Sequence, residues 1–144
     1  MDVFQTTMTA LVLAKEIIDF IERYHTAFKD AQQILVHIKE SESVLRRVQH
    51  VVEERSPAKG AQEAEVVAQI GLSVKSCHVL LSKVKVVLEK NLDSKRFERT
   101  RLVFGRKSLM EMQNELANHI NILHLMLSVL TTYVYPQAEC SAWN

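Results

Sequence analysis

The sequence predicts an all-α fold, an antiparallel four-helix bundle of long helices. Only three of its 144 residues are glycine and two are proline, which indicates few turns and long elements. Apolar side chains recur at alternating spacings of three and four residues through four segments, as they do on one face of an α-helix. Spacings near 3.5 residues favour helices that cross at about +20°, the geometry of a bundle.

The length and composition favour one globular domain. A chain of 144 residues, 47% hydrophobic and 24% charged, is long enough to bury one core. We expect the bundle domain to cover residues 1–133 and residues 134–144, which include Pro136, to form a C-terminal tail or linker. Two cysteines provide no disulfide framework, and Asp2 stands where a signal peptide would be basic. Both observations favour a cytoplasmic location.

The first predicted helix runs from Phe4 to about Tyr24 and has an unusually wide apolar face. Its apolar residues form two adjacent rows: Phe4, Met8, Leu11, Ile18 and Ile21 in one, and Leu13, Ile17, Phe20 and Tyr24 in the other. The run from Val3 to Ala14 carries no charge but has twelve residues, fewer than the roughly 20 that a bilayer crossing needs.

The second predicted helix covers residues 27–54, with a polar interruption at Ser41 or Glu42 where an apolar residue would fit. The join at His25-Thr26 contains neither glycine nor proline, so the sequence leaves open whether it is a tight turn or a kink. A linker follows over residues 55–62, where Pro57 ends the helix and Gly60 loosens the chain.

The third and fourth helices have regular seams. The third seam keeps its period over three heptads: Val67, Ile70, Val74, Cys77, Leu81, Val84 and Leu88. The fourth helix is predicted to start at Ser108, because Ser108 and Glu111 have the spacing of a capping box. Its stripe is Leu109, Met112, Leu116, Ile120, Leu123, Leu127 and Leu130. The segment between them leaves room for a short extra helix over residues 94–104.

The sequence contains no recognisable catalytic, cofactor or metal motif, so we expect a protein that is not an enzyme and needs no cofactor. His119 and His124 are five residues apart, about 140° around a helix, and cannot bind one metal ion as an i, i+4 pair would. Three glycines could hardly form a phosphate-binding loop, and no G-x-S-x-G elbow occurs. The carboxylate pair Glu53-Glu54 lies beside a linker, where solvated charges are common.

Positive charge is concentrated between residues 95 and 107, where six cations face one acid, Glu98, for a local charge of +5 in a chain of +1. One interpretation is a joint between helices with solvated charges. The other is a patch that faces anions, with these residues as headgroup contacts: Arg96, Arg99, Arg101, Arg106 and Lys107. Each cation near an anionic leaflet contributes about 1 kcal/mol, so membrane binding would need a second, hydrophobic signal. Nucleic acid is not expected as a partner, because the overall charge is nearly neutral.

The order of these features resembles a known family. The chain reads MDVFQTTMTALVLAKEIIDFIERY, then LRRVQHVVEE, then LSVKSCHVLLSKVKVVLEK, then RLVFGRKSLMEMQNELANHINILHLML. The most telling part is the apolar pair Val103-Phe104, followed by the cations Arg106-Lys107 and a helix with leucines at heptad spacing. From about residue 3 to 130 this resembles the HeLo-like N-terminal domain of fungal NLR-like (STAND) proteins.

That resemblance implies an all-α bundle related to the HeLo domain and similar to the four-helix domain of the mixed-lineage kinase-like pseudokinase. Such domains act in programmed cell death and innate immunity, commonly ahead of a nucleotide-binding oligomerisation domain. Their first helix targets membranes, and here it corresponds to Val3–Ala14. The chain departs from the family at Thr6, Thr7 and Thr9, where that helix commonly has small residues.

Two functions are therefore expected. In the leading one, the domain self-associates and is recruited to anionic membrane lipids, with Phe4, Leu11 and Leu13 as apolar contacts and the cations above as headgroup contacts. A nucleotide-binding domain would follow if the chain is an excised module. In the alternative, the bundle is a dimerisation or docking module without membrane activity.

Overall fold

The computed structural model describes residues 2–24, 32–54, 60–93 and 98–143, and the side chains of these residues except for 91–107 and 132–143. It contains four helices: α1 (Val3–Arg23), α2 (Gln32–Glu54), α3 (Ala61–Asp93) and α4 (Glu98–Trp143). No β-strand occurs in these ranges. The predicted all-α four-helix bundle is confirmed.

The relative directions of α1, α3 and α4 follow from pairs of contacts at different positions along these helices. Val3 lies against Gly71 and Glu16 binds Lys85, so α1 and α3 run parallel. Further along α3, the Ser73 hydroxyl lies 3.9 Å from the Met126 sulfur, whereas Val87 shares a groove with Met112, so α3 and α4 are antiparallel.

The four helices form a ring in which α1 packs against α2 and α3, and α4 packs against α3 and α2. Helices α2 and α3, although consecutive in the chain, lie on a diagonal and scarcely touch. Among these neighbours, α1 and α3 are parallel, whereas α3 and α4 are antiparallel.

Helix α1 begins with an N-cap that the sequence analysis missed. The Asp2 carboxylate accepts a hydrogen bond from the Gln5 backbone N–H at 2.7 Å, which satisfies one of the free donors at the helix start. Thr6, Thr7 and Thr9 each donate a hydroxyl hydrogen bond to the carbonyl four residues earlier. Thr7 can therefore be fully buried without an unpaired polar group.

The core is formed by the predicted seams. Its largest fully buried side chains are Ile17, Ile21, Ile34, Ile38, Leu45, Ile70, Leu81, Leu88, Leu116, Leu123, Leu127 and Leu130. The polar interruption of α2 is Ser41, which is fully buried and donates its hydroxyl to the Ile38 carbonyl at 2.7 Å. Glu42 lies at the edge of the core and pairs with Arg46. A small side chain whose hydroxyl is hydrogen-bonded within its own helix is thus tolerated at a position where the heptad pattern predicts an apolar residue.

The predicted start of the fourth helix at Ser108 is wrong, because α4 begins at Glu98 and Ser108 lies inside it. The residues before Ser108 include strong helix formers, and Gly105 costs only about 1 kcal/mol, too little to end the helix. The separate short helix considered over 94–104 is absent from the described part of that range, since residues 98–104 are the first turns of α4. Residues 94–97 lie outside the described residues.

The boundaries of α1 and α2 agree with the sequence, but the helix does not stop at residue 133, where the tail or linker was predicted to begin. Helix α1 spans the predicted segment, and α2 ends at Glu54 as expected. His25-Thr26 and Pro57 lie outside the described residues, so the choice between a turn and a kink is not tested. Gly60 has φ +130°, which favours glycine, and α3 starts directly after it. At the other end, residues 134–143 continue α4 as helix.

Candidate binding surfaces

The predicted headgroup contacts fall in the segment whose side chains lie outside the described residues. Arg96 precedes α4, whereas Arg99, Arg101, Arg106 and Lys107 are in its first turns. A helix advances 100° per residue, so positions 99 and 106 share a face, while position 101 lies on roughly the opposite side. Four of the five predicted contacts therefore lie at positions within α4, and these positions do not all share one face of the helix.

Two of the three predicted apolar membrane contacts of α1, Leu11 and Leu13, lie in the core or pack against it. Leu11 is 6% exposed and belongs to the core, whereas Phe4 and Leu13 are half-buried. The exposed apolar residues of α1 are instead Met8 and Val12, on the outer side of the helix. A membrane role for Leu11 would therefore require α1 to leave the bundle.

The first turn of α1 is held by a close approach to α3. A Cβ built on Gly71 would lie 2.8 Å from Val3 Cγ2, closer than real side chains pack. Only glycine at position 71 lets the Val3 side chain reach the α3 backbone in its present position. An isolated glycine inside a helical pattern usually has such a packing reason, so the sequence did carry this signal.

Further along, two exposed ion pairs link α1 to the neighbouring helices. Lys85 Nζ lies 2.9 Å from Glu16 Oε2, and the hydrogen bond that Lys85 donates there raises the pKa of Lys85. On the α2 side, Lys39 Nζ lies 3.2 Å from Glu22 Oε1. These side chains are largely solvated, and exposed ion pairs contribute little. Apolar packing, including the contact between Val3 and Gly71, is therefore the main force on α1.

Helix α3 carries an exposed apolar row that the sequence analysis did not separate from the core seam. Leu72, Val79 and Val86 are seven residues apart and are 67%, 48% and 47% exposed. We call this row the α3 stripe. Residues at heptad spacing share one face of a helix. Each stripe residue is two positions, or about 200° around the helix, from a residue of the core seam, so the stripe lies on the opposite side of α3.

A groove between α3 and α4 adjoins the stripe, and we call it the α3–α4 trough. It consists of two cavities that share Val79 and Lys83. The first, about 340 Å³, is polar and includes Lys75, Glu115 and His119 in its lining. The second, about 480 Å³, is mostly apolar, and Val86, Val87 and Met112 contribute to its walls. The trough combines apolar walls with two lysines.

The described residues offer little to catalysis or metal binding. No group of three His, Cys, Asp or Glu side chains within the described ranges could hold a metal ion. Cys77 lies in the core, where burial raises the pKa of its thiol to about 12. This cysteine is therefore protonated at neutral pH and is not poised as a nucleophile.

The Cys77 thiol should make the stability of the protein pH-dependent in alkali. Its pKa is raised from 9.0 to about 12 in the folded chain, so between these values the unfolded chain loses a proton that the folded chain keeps. Stability should then fall as the pH rises, with a slope that approaches about 1.4 kcal/mol per pH unit above pH 9. Urea unfolding at about pH 8.5, 9.5 and 10 measures this slope. A Cys77→Ala variant with the same slope as the parent would contradict the assignment.

Among the described residues, one helical stretch, Ala61–Lys90 of α3, is long and apolar enough to span a membrane by length and composition. A core helix that also carries an exposed apolar row has the same composition.

No protein-family model matches the chain, and neither a curated protein nor a solved structure is significantly similar to it. The resemblance to the HeLo-like domain therefore stays a prediction.

Proposed function

We propose that this chain is a non-enzymatic effector domain of HeLo-like type in fungal cell-death or immune signalling. In this proposal the domain is cytoplasmic, self-associates on activation and engages anionic membrane lipids through α1 and the basic start of α4. The observation that carries the proposal is that α1 covers the core with a wide apolar face, and that its uncharged first turn packs against α3 where Val3 lies beside Gly71.

The helix directions constrain how α1 could act with the cations. Val3 lies beside Gly71, and α3 continues to Asp93, 22 residues further along. At 1.5 Å per residue, the first turn of α1 is about 33 Å from the end of the bundle where α4 begins. The C-terminal end of α1 is near that end instead. In the proposed mechanism the N-terminal part of α1 leaves α3 and pivots about its C-terminal end, which brings apolar residues and cations to one membrane surface.

Two attractive contributions would favour membrane binding in this mechanism. A few cations at the start of α4 contribute about 1 kcal/mol each near an anionic leaflet. The released face of α1 adds apolar burial at about 25 cal/mol per Å², with Leu11 and the neighbouring Phe4 and Leu13 as contacts. Together these terms can hold an amphipathic helix at the interface, although neither suffices alone.

Charge reversal at positions 99 and 106, which share a face of α4, should weaken membrane binding. Replacing Arg99→Glu and Arg106→Glu removes at least two attractive terms of about 1 kcal/mol, so affinity for vesicles containing phosphatidylserine should drop about 30-fold. Cosedimentation measures this, and neutral phosphatidylcholine vesicles are the control. Arg101→Glu, on the other side of the helix, shows whether one face is used. Equal binding by the double variant and the parent would remove the patch from the mechanism.

A second function is favoured by the α3 stripe and the α3–α4 trough. Exposed apolar rows next to a groove are typical of protein interaction sites, so the bundle could act as a docking or dimerisation module. Light scattering with and without liposomes separates the two functions. Growth of the particle only with lipid supports the first, whereas dimers without lipid support the second.

A further inference from the structure

The α3–α4 trough and the adjoining α3 stripe together form a surface long enough to bind a helix. The α3 stripe extends over 14 residues from Leu72 to Val86, which is about 21 Å or four helical turns. Its members repeat every seven residues, which is the spacing of contacts between two helices packed in a coiled coil. Val87 of α3 and Met112 of α4 widen this row into a groove with apolar walls on both sides.

The charge of the trough defines the chemistry of the partner. From Val66 to Leu88, α3 contains three lysines and neither aspartate nor glutamate. Lys85 binds Glu16, whereas Lys75 and Lys83 are exposed, line the trough and form no ion pair with any described residue. Glu115 is the one carboxylate among the described residues lining the trough. A partner that covers the stripe must place negative charge beside the two lysines.

The concave shape favours a helix over a lipid surface. An α-helix about 10 Å wide can lie along a groove between two helices and touch both walls, as amphipathic helices do in helix-in-groove complexes. A flat bilayer surface would meet mainly the outermost side chains, such as Leu72.

From these observations we infer that the α3–α4 trough binds an amphipathic helix of a partner protein that carries acidic residues beside its apolar face. This inference deepens the second function proposed above, and it does not require α1 to leave the bundle. Val79 is the central contact, because it belongs to the stripe and lines both cavities. Lys75 and Lys83 select for the acidic side chains.

The test uses the full chain and two synthetic helices. The acidic probe has about 21 residues, or three heptads, with leucines at the a and d positions and glutamates on both sides of them. The second probe has lysine in place of every glutamate. Fluorescence anisotropy of labelled probes measures binding. We expect the acidic probe to bind at least about tenfold more tightly than the lysine probe.

Variants of the trough sharpen the test. Val79→Asp should reduce binding of the acidic probe at least about tenfold, because it places a charge at the centre of the contact. The matched control is Val36→Asp on α2, where the side chain is 56% exposed and lies outside the trough, and it should bind as the parent does. The pair Lys75→Glu and Lys83→Glu should reverse the preference toward the lysine probe. Circular dichroism melting curves show whether each variant is folded.

Three outcomes would overturn the inference. The first is equal affinity for both probes, and the second is acidic-probe binding that Val79→Asp leaves unchanged in a folded protein. In the third, neither probe binds the parent, and Val79→Asp abolishes another interaction. Loss of cosedimentation with anionic vesicles would assign the trough to lipid, and loss of a lipid-independent dimer would assign it to a second copy of the chain. Loss of liposome binding in the Arg99 and Arg106 variants bears only on the membrane proposal, so the two failures are distinguishable.

Discussion

Cysteines introduced at positions 3 and 71 should form a disulfide that locks α1 onto α3 and weakens binding to anionic liposomes. The Cβ position at residue 71 lies 3.9 Å from the Val3 Cβ, within the range of about 3.5 to 4.5 Å that disulfides require. Replacing Val3 also removes the Cγ2 atom that would clash with a side chain at position 71. The bond closes a loop of about 68 residues, which corresponds to about 4 kcal/mol of stabilisation in the chain-entropy description.

The functional effect should depend on the redox state. The oxidised Val3→Cys/Gly71→Cys protein should bind phosphatidylserine vesicles weakly in cosedimentation, and a reducing agent should restore binding, because the proposed mechanism needs the N-terminal part of α1 to leave α3. Each single cysteine variant is a control for the substitutions. Cys140→Ser in all proteins avoids a competing thiol, and Cys77 is buried. Equal vesicle binding by the oxidised and reduced proteins, with the disulfide confirmed by mass, would rule out release of α1.

Much of the fold could be predicted because helical periodicity is local. The two apolar rows of α1 and the seam of α3 each specify a helix and the face that it buries. The start of α4 could not be predicted in the same way. Ser108 has the capping-box pattern, yet ten preceding residues continue the helix, and a capping box forms only where the backbone turns.

The candidate sites were harder to predict because exposure depends on the neighbouring helices. Leu11 and Met8 belong to the same predicted apolar row of α1, but Leu11 faces the core and Met8 faces solvent. The α3 stripe was hidden for a related reason. Its residues are as apolar as those of the seam, and only the positions of α1 and α4 determine which row is covered.

Leucine-to-alanine substitutions in the core seam and in the α3 stripe should have very different effects on the stability of the protein. Leu81 is fully buried in the core seam, so Leu81→Ala should lower the free energy of unfolding by about 2 to 5 kcal/mol, through lost apolar burial and the cavity left behind. Leu72 lies nine residues earlier on the same helix but belongs to the exposed stripe. Leu72→Ala should change stability by less than about 0.5 kcal/mol. Urea unfolding at neutral pH measures both.

The pair also connects stability with binding. Leu72→Ala should weaken binding of the acidic probe while the protein stays as stable as the parent, because Leu72 touches the partner and not the core. Leu81→Ala, studied in the absence of denaturant where it remains folded, should bind the probe nearly as the parent does, since its side chain lies beneath the surface. Equal losses of stability in both variants would mean that the outer face of α3 is already packed within the protein. In that case the α3 stripe is not available to a partner, and the assignment of the trough fails with it.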